Sequence, residues 1–455
     1  MSDPLQAKTV VVLGFARQGR ALARWLPSIG ARAIVSDMRS PDELRLNPAD
    51  WPGVEFVLGA HPITLLEGCD LLCISGGVSL NLEIVQMALR YDVPLSNDAQ
   101  LFLERCPAPV IGITGSAGKT TTTTLIGEMF KRSKHRTWVG GNIGDVLLNV
   151  LPIITSNDRV VMELSSFQLE IVSSSPTIGA VLNITPNHLD RHGTMEAYTA
   201  AKAHLLAYQR ENDVAVLSKD DEGSQQLELI APGSIAWFTL YEMVSDGAFL
   251  IGERLAVSGV SSPDGEPRVV CERSDIRLRG EHNVSNVLAA CATAGAGGVP
   301  VEVMASAIRE FRGVAHRLEV VRQKDGVTYI NDSIATAPER VVAALRSFEE
   351  PLVLLLGGRD KKLPWEQMLL LALSKSRRLI AFGEFGDGIV DAVKRVYGSD
   401  EPITRVATLE EAVKEAAKVA EPGDVVLLSP GCTSYDAYSD FAARGEHFRS
   451  LVNTL

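Results

Sequence analysis

The chain has 455 residues, 46% apolar and 22% charged, with a formal net charge of −12. That length holds about three domains, each able to bury a core, and the acidic balance excludes wholesale nucleic-acid binding, so an anionic ligand has to be met by local Lys, Arg and helix ends. No long charge-free apolar run is present, which excludes a membrane span.

The opening Met-Ser-Asp-Pro-Leu-Gln-Ala-Lys8 leads into a strand rather than a signal peptide, so a cytoplasmic protein is expected. Residues 8 to about 107 alternate strand and helix. Lys8–Leu13 reads as a strand, Gly14–Gly19 as a turn, Arg20–Leu26 as a helix and Ala31–Ser36 as the next strand, ending at Asp37. This is the opening of a doubly wound nucleotide-binding unit, where an acidic residue at that strand end often meets a ribose hydroxyl. The full Gly-x-Gly-x-x-Gly pattern is absent because residue 16 is Ala. A uridine nucleotide fits the looser loop as well as NAD does, and a ligand-free βαβ unit stays open. The strand Asp70–Ser75 ends in Gly76-Gly77-Val78, which should border the same crevice. Cys106-Pro107-Ala108-Pro109 is a stiff connection and marks a domain boundary.

The second domain starts with Val110-Ile-Gly-Ile113, a buried strand running into Thr114-Gly-Ser-Ala-Gly-Lys-Thr120 and then a helix. Gly115 and Gly118 let backbone N–H groups turn toward phosphate, and the helix start adds its positive dipole end. Lys119 belongs on the outer phosphates and the Thr120 hydroxyl on Mg²⁺. The general P-loop pattern wants Gly where Ile113 stands. Arg159–Met162 is a strand ending at Glu163, whose carboxylate suits the same Mg²⁺ as a hard oxygen ligand. Thr177–Asn183 is another strand, leading to Asn187-His188-Leu-Asp190. A loop His is usually structural, but His188 follows a strand end near the phosphates. Lys202 lies in a helix between Ala201 and Ala203, so little bulk hides it, and spacing alone favours a solvated charge. Residues 214–280 read as a β-rich extension with little chemistry of its own. Asn283 and Asn286 then lie three apart on one helix face, where their amides suit a base or phosphate.

The third region repeats strand and helix. Strands Val327–Ile330, Pro351–Leu356, Arg378–Phe382 and Asp424–Leu428 end in Asn331-Asp332-Ser333, Gly357-Gly-Arg-Asp-Lys361, Gly383 and Ser429-Pro-Gly-Cys-Thr-Ser434. Polar clusters beyond successive strand ends suit a small charged ligand, and they also suit ordinary turns and caps. Six cysteines (69, 73, 106, 271, 291 and 432) show no metal-ligand spacing and read as reduced.

Gly112–Thr120, Glu163-Leu-Ser-Ser-Phe-Gln168, Asn187–Asp190, Ala201-Lys202 and His282-Asn283-x-x-Asn286 together resemble the motif series of the Mur ligases. The resemblance covers essentially the whole chain and is weakest in the first domain. The expected fold is α/β in three domains. These are a Rossmann-like uridine-nucleotide-binding domain over 1–108, a P-loop ATPase-like domain with a small β extension over 109–313, and a Rossmann-like amino-acid-binding domain over 314–455. Hinges are expected near 107–110 and 312–316.

The resemblance implies an ATP-dependent ligase of cytoplasmic peptidoglycan-precursor synthesis, working as a monomer on small molecules only. ATP is assigned to Gly115, Ser116, Ala117, Gly118, Lys119, Thr120, Thr121, Asn283, Asn286, Arg317 and Asp332. The UDP-linked substrate is assigned to Phe15, Ala16, Asp37, Arg39, Gly77, Asn142 and His188. Two Mg²⁺ ions are implied, one on Thr120 and Glu163 and one joining His188 and Lys202, the latter carbamylated by CO₂ because a lysine cation cannot ligate metal. Ser429–Ser434 with Phe441 and Gly445 resembles the members that add D-glutamate, whose carboxylates fall to Thr336, Lys361, Ser434 and Phe441. Many of those members have Lys where this chain has Ile334, and Arg359, Lys361 or Lys362 would have to compensate. Many also have Asn at Ala117, a change of little effect if the backbone does the cradling. The alternatives are another amino acid such as L-glutamate, a folylpolyglutamate-type substrate, or a P-loop binding protein that has lost His188 or Lys202; both are present.

Overall fold

The computed structural model describes residues 3–455, apart from the side chain of Asp190. It is mixed α/β with three sheets, in two compact units that meet in sequence at Phe311 and Arg312.

The first unit opens with five strands, β1 (Thr9–Leu13), β2 (Arg32–Asp37), β3 (Val54–Leu58), β4 (Leu71–Ile74) and β5 (Leu95–Ser96), all parallel in the order β3-β2-β1-β4-β5. Val10 to Leu13 are fully buried, as expected of a parallel strand covered on both faces. Strand order reverses between β1 and β4, so the Gly14 and Gly76 turns share one sheet edge. The helix after Gly14 runs Arg17–Ser28, longer than its sequence pattern suggests, and ends beyond Pro27.

Nine further strands form the second sheet: β6 (Val110–Thr114), β7 (Thr137–Gly141), β8 (Arg159–Glu163), β9 (Ile178–Val181), β10 (Val214–Ser218), β11 (Ser234–Thr239), β12 (Gly247–Ile251), β13 (Arg254–Gly259) and β14 (Gly265–Glu272). Their order is β14-β13-β12-β11-β10-β9-β6-β8-β7. The P-loop strand β6 therefore lies between β8, in register Ile113 to Glu163, and β9, in register Thr114 to Val181. The region read as a β extension continues this sheet: β10, β11 and β12 are parallel, and only β13 and β14 turn antiparallel. The helices Lys119–Arg132 and Glu281–Ala296 pack on one face in a core that includes Ile113, Ile126, Phe130 and Leu288.

The second unit contains β15 (Glu319–Lys324), β16 (Val327–Asn331), β17 (Leu352–Gly357), β18 (Ser376–Phe382), β19 (Ile403–Arg405) and β20 (Val425–Gly431), in the order β15-β16-β20-β17-β18-β19. Only β15 is antiparallel to its neighbour. The carboxyl ends of β16, β20 and β17 lie side by side, and the final helix, Phe441–Thr454, starts beside them.

Candidate active site

The three strand ends around β6 bring the phosphate-binding residues together. Gly118 adopts φ +83°, and a Cβ there would lie 2.2 Å from Asn286 Oδ1, so the loop needs glycine for its backbone and for the close approach of Asn286. Asn286 in turn donates to Asn283 Oδ1 at 3.2 Å. Lys119 curls over the loop and donates to the carbonyls of Gly115 (2.7 Å) and Ser116 (3.3 Å). Thr121 is half-buried in the same first helical turn.

Ala117 departs from expectation. Its N–H donates to Asn183 Oδ1 at 2.8 Å, and Asn183 Nδ2 donates back to the Ala117 carbonyl at 3.2 Å. That N–H holds the loop to the end of β9, leaving the phosphate cradle to other donors. Ser116 Oγ lies 2.9 Å from the Tyr198 hydroxyl and fastens the loop a second time. Asn183, a polar residue closing the strand beside a Gly-rich loop, is the missed signal.

Thr120 Oγ1 donates to Glu163 Oε2 at 2.9 Å, and Asn142 Nδ2 donates to Glu163 Oε1 at 2.8 Å. Glu163 is 1% exposed. A hydroxyl and a buried carboxylate at a helix start are hard oxygen donors that fit Mg²⁺ beside phosphates, which supply the remaining positions together with water. Among the described residues no group of three or more His, Cys, Asp or Glu gathers into a metal cluster, in keeping with such a sparse protein ligand set.

Lys202 is 1% exposed, against the solvated charge that spacing favours. The Met195–Ala207 helix turns it inward under β6, where Nζ lies 3.3 Å from Thr114 Oγ1 and 4.7 Å from the Tyr198 ring centre. Burial, and then the charge of Lys119, pull its pKa from 10.5 to about 6. His188 sits at φ +54° at the head of a short helix, its ring 5.0 Å from that of Phe167. Phe167 is also stacked on His192 at 5.1 Å and covered by Arg191 at 4.0 Å.

Ala16, Gly77 and Asn142 line one cleft of 240 Å³ with Arg17, Ser165 and Phe167. Arg17, which no sequence pattern marks, donates to the carbonyls of Gly141 (3.1 Å), Asn142 (2.7 Å) and Gly144 (2.7 Å) and so ties the first sheet's turn to the second sheet. Two residues assigned to the UDP-linked substrate have side chains already engaged by the protein. Phe15 is 1% exposed, its ring edge-on to Trp51 and Phe56, so its side chain belongs to the core. Asp37 accepts from the Phe15 N–H (2.6 Å) and from the Arg39 N–H, Nε and Nη2 (2.9, 2.9 and 2.8 Å). Burial opposes its charge, but these bonds outweigh burial and hold the carboxyl far below the usual range. Asp37 shapes the turn and orients Arg39.

In the second unit Lys361 Nζ donates to Thr336 Oγ1 at 3.2 Å. Arg359 is paired with Glu384 at 2.8 Å, which offsets its charge, while Lys361 stands beside Thr336. The Phe441 carbonyl accepts from Ser333 Oγ at 2.7 Å, and Ser434 is buried beside the same strand ends. Asp332 accepts from Ser429 Oγ (2.8 Å) and the Leu318 N–H (3.3 Å), and burial pushes its pKa up to about 7. Arg317 is exposed near it.

The Mur ligase middle domain matches residues 113–294, and the Mur ligase glutamate ligase domain matches residues 316–432. The chain belongs to the Mur ligase family. A UDP-N-acetylmuramoylalanine--D-glutamate ligase of Pelotomaculum thermopropionicum is 40% identical over 98% of both chains. One from Clostridium botulinum is 38% identical over 100% of this chain and 98% of its own. Among solved structures, UDP-N-acetylmuramate-alanine ligase from Thermotoga maritima aligns with a TM-score of 0.55 at 19% identity, covering 98% of this Mur ligase and 99% of that chain, a likeness of fold.

Proposed function

We propose that this Mur ligase joins D-glutamate to UDP-N-acetylmuramoyl-L-alanine, with cleavage of ATP to ADP and phosphate. The observation that carries the reading is full-length identity of 38–40% to relatives bearing that name. A carboxylate does not condense with an amine because its oxygen is a poor leaving group. ATP supplies the activation by turning the lactoyl-alanine carboxylate into an acyl phosphate, and Mg²⁺ supplies charge neutralisation on the phosphates.

The chain's own residues position and neutralise. The first five-stranded sheet is read as a Rossmann-like holder for the uridine nucleotide, with Phe15, Ala16, Asp37, Arg39, Gly77, Asn142 and His188 as its contacts, Phe15 through its backbone. Lys119 offsets phosphate charge above the Gly-rich loop, while Thr120 and Glu163 would hold one Mg²⁺. His188 and Lys202 would serve a second. Adding CO₂ to Lys202 needs a free lone pair on the amine. With a pKa of about 6, Lys202 is largely neutral at pH 7, so its nitrogen can bond to the carbon of CO₂ and release a proton. The resulting carbamate is an oxygen donor where an ammonium is not. Arg317 and Asp332 retain their assignment to ATP, and Thr336, Lys361, Ser434 and Phe441 to the D-glutamate carboxylates. The domain limits 1–108, 109–313 and 314–455, a monomeric state and a cytoplasmic location belong to the same reading; among the described residues no helix is long and apolar enough to cross a membrane.

The deciding experiment is phosphate release from ATP with UDP-N-acetylmuramoyl-L-alanine and D-glutamate, L-glutamate or no amino acid. Release that requires D-glutamate is expected. Release with L-glutamate alone would overturn the substrate while leaving the ligase chemistry, and no release with either would count against a ligase.

A further inference from the structure

A buried cation is ordinarily matched by a carboxylate, since an unpaired charge in a dry interior is costly. Arg444 breaks that pattern. It is the bulkiest fully buried side chain among the described residues, at 1% exposed. Its Nε donates to Ser333 Oγ (3.0 Å), Nη1 to the carbonyls of Gly357 (3.3 Å), Cys432 (3.2 Å) and Thr433 (3.3 Å), and Nη2 to those of Ser333 (2.9 Å) and Cys432 (3.2 Å). Every acceptor is neutral. They lie just at or beyond the carboxyl ends of β16, β17 and β20, three neighbouring strands. Asp436 is the carboxylate whose charge acts on it most, and the two form no ion pair. Burial pulls Arg444 down to about 10, which leaves it charged at neutral pH.

The bonds run to the segments that carry the amino-acid assignment. Thr433 precedes Ser434, and its planar peptide, with the carbonyl toward Arg444, turns the Ser434 N–H to the opposite side. Ser333 Oγ links Arg444 Nε to the Phe441 carbonyl, and Ser333 adjoins Ile334, which brings no charge to this strand end. Burial and the Asp360 carboxylate raise the Cys432 thiol, while Arg444 and Lys361 both act to lower it, so the two cations share this neighbourhood with Asp360 and Asp436. Arg359 is engaged by Glu384.

We propose that Arg444 is a positioning and specificity-determining residue for the incoming amino acid. It fastens the carboxylate-recognising segments and supplies from beneath them positive charge that Ile334 does not provide. Its donors are spent on the protein, so it acts by field and by holding Ser333, Thr433 and Phe441 in place, without touching the ligand. This inference rests on the assignment of an acidic amino acid to Thr336, Lys361, Ser434 and Phe441.

The test compares R444K and R444Q in the full chain. Both lose most of the bond network, and only Lys can carry a charge; unlike Lys202, which faces the cation Lys119, it would sit among the carbonyls of Gly357, Cys432, Thr433 and Ser333 with Asp436 opposing burial. KM for D-glutamate, ATP and UDP-N-acetylmuramoyl-L-alanine would be measured by phosphate release, alongside Tm and the preference for D-glutamate over its uncharged isostere D-glutamine. Both variants should lose Tm. R444Q should raise KM for D-glutamate roughly tenfold or more above R444K and lose the preference over D-glutamine, with the other two KM values within about twofold. Equal KM values in the two variants, or a parallel rise in all three, would make Arg444 merely structural and overturn the proposal. If neither variant folds, D436N decides, because removing the opposing carboxylate strengthens the field. Its KM for D-glutamate should fall about two- to threefold, and no change or a rise overturns the proposal. Wild-type turnover with L-glutamate alone would remove the D-glutamate reading yet leave the same comparison intact with that dicarboxylate. Turnover with only a neutral amino acid would overturn both.

Discussion

Replacing Lys202 by Met separates what this side chain does for chemistry from what it costs the fold. The buried amine titrates at about 6 in the folded chain against 10.5 in the reference state, because of burial first and Lys119 second. Between those values the unfolded chain carries a proton that the folded chain lacks. Stability therefore rises with pH across the window from about 6 to 10.5, and the penalty is full below it. At pH 7 the remaining gap is 10.5 − 7, or 3.5 units, which at about 1.36 kcal/mol per unit sets an upper bound of about 5 kcal/mol. Water entry and local relaxation lower such penalties, so a gain of about 2–3 kcal/mol is expected for K202M, whose unbranched side chain fills the same space. Four of the five tryptophans (25, 51, 138 and 237) lie in the first unit with Lys202, so tryptophan fluorescence during urea unfolding follows that unit. Measured in metal-free and CO₂-free buffer from pH 6 to 10, K202M should be the more stable protein at pH 7, with the difference shrinking toward pH 10. Phosphate release should fall by about 10³-fold or more. A variant less stable at pH 7, or a difference independent of pH, would refute the burial argument.

Gly118→Ala combines a left-handed backbone, at about 1–2 kcal/mol, with a Cβ 2.2 Å from Asn286 Oδ1; a lower Tm and a roughly tenfold higher KM for ATP are expected from melting and phosphate-release assays. Asp332 titrates near 7 because of burial, above its ordinary 3.8, so its contribution is full below about 3.8 and is lost as pH rises through 7. D332N should therefore gain stability over wild type at pH 8 and not at pH 4, read by calorimetry. Arg191 donates to the carbonyls of Gly76 (2.9 Å) and Val78 (2.7 Å) while lying 4.0 Å above Phe167. Lys cannot fork and stack at once, so R191K should raise KM for the UDP-linked substrate about tenfold and leave that for ATP unchanged.

The parts of the candidate site that were legible in the sequence are those set by neighbours along the chain. A strand, a Gly-rich turn and a helix at 110–132 define a phosphate loop by themselves, and parallel sheets put strand ends on one edge, so Glu163 could be matched to Thr120 across 43 residues. The elements that were misread depend on what packs against them from elsewhere. The helix holding Lys202 is apolar or alanine-rich nearly all round, so periodicity could not say that Lys202 points inward under Thr114. Phe15 reads as a loop residue until Trp51 and Phe56 close over it. Asp37 looks like a free strand-end acid because its occupying donors are mostly backbone N–H groups and the side chain two residues on. Arg444 is the limiting case. Its partners are main-chain carbonyls and one hydroxyl at separations of up to 111 residues, and carbonyls carry no residue-type signal, so nothing in the sequence marks its burial. Local pattern reports which groups a fold can offer. Which of them are buried, and against what, is decided by long-range packing, and it is burial that leaves Lys202 neutral enough to bind CO₂ and gives Arg444 carbonyl partners in place of a counter-ion.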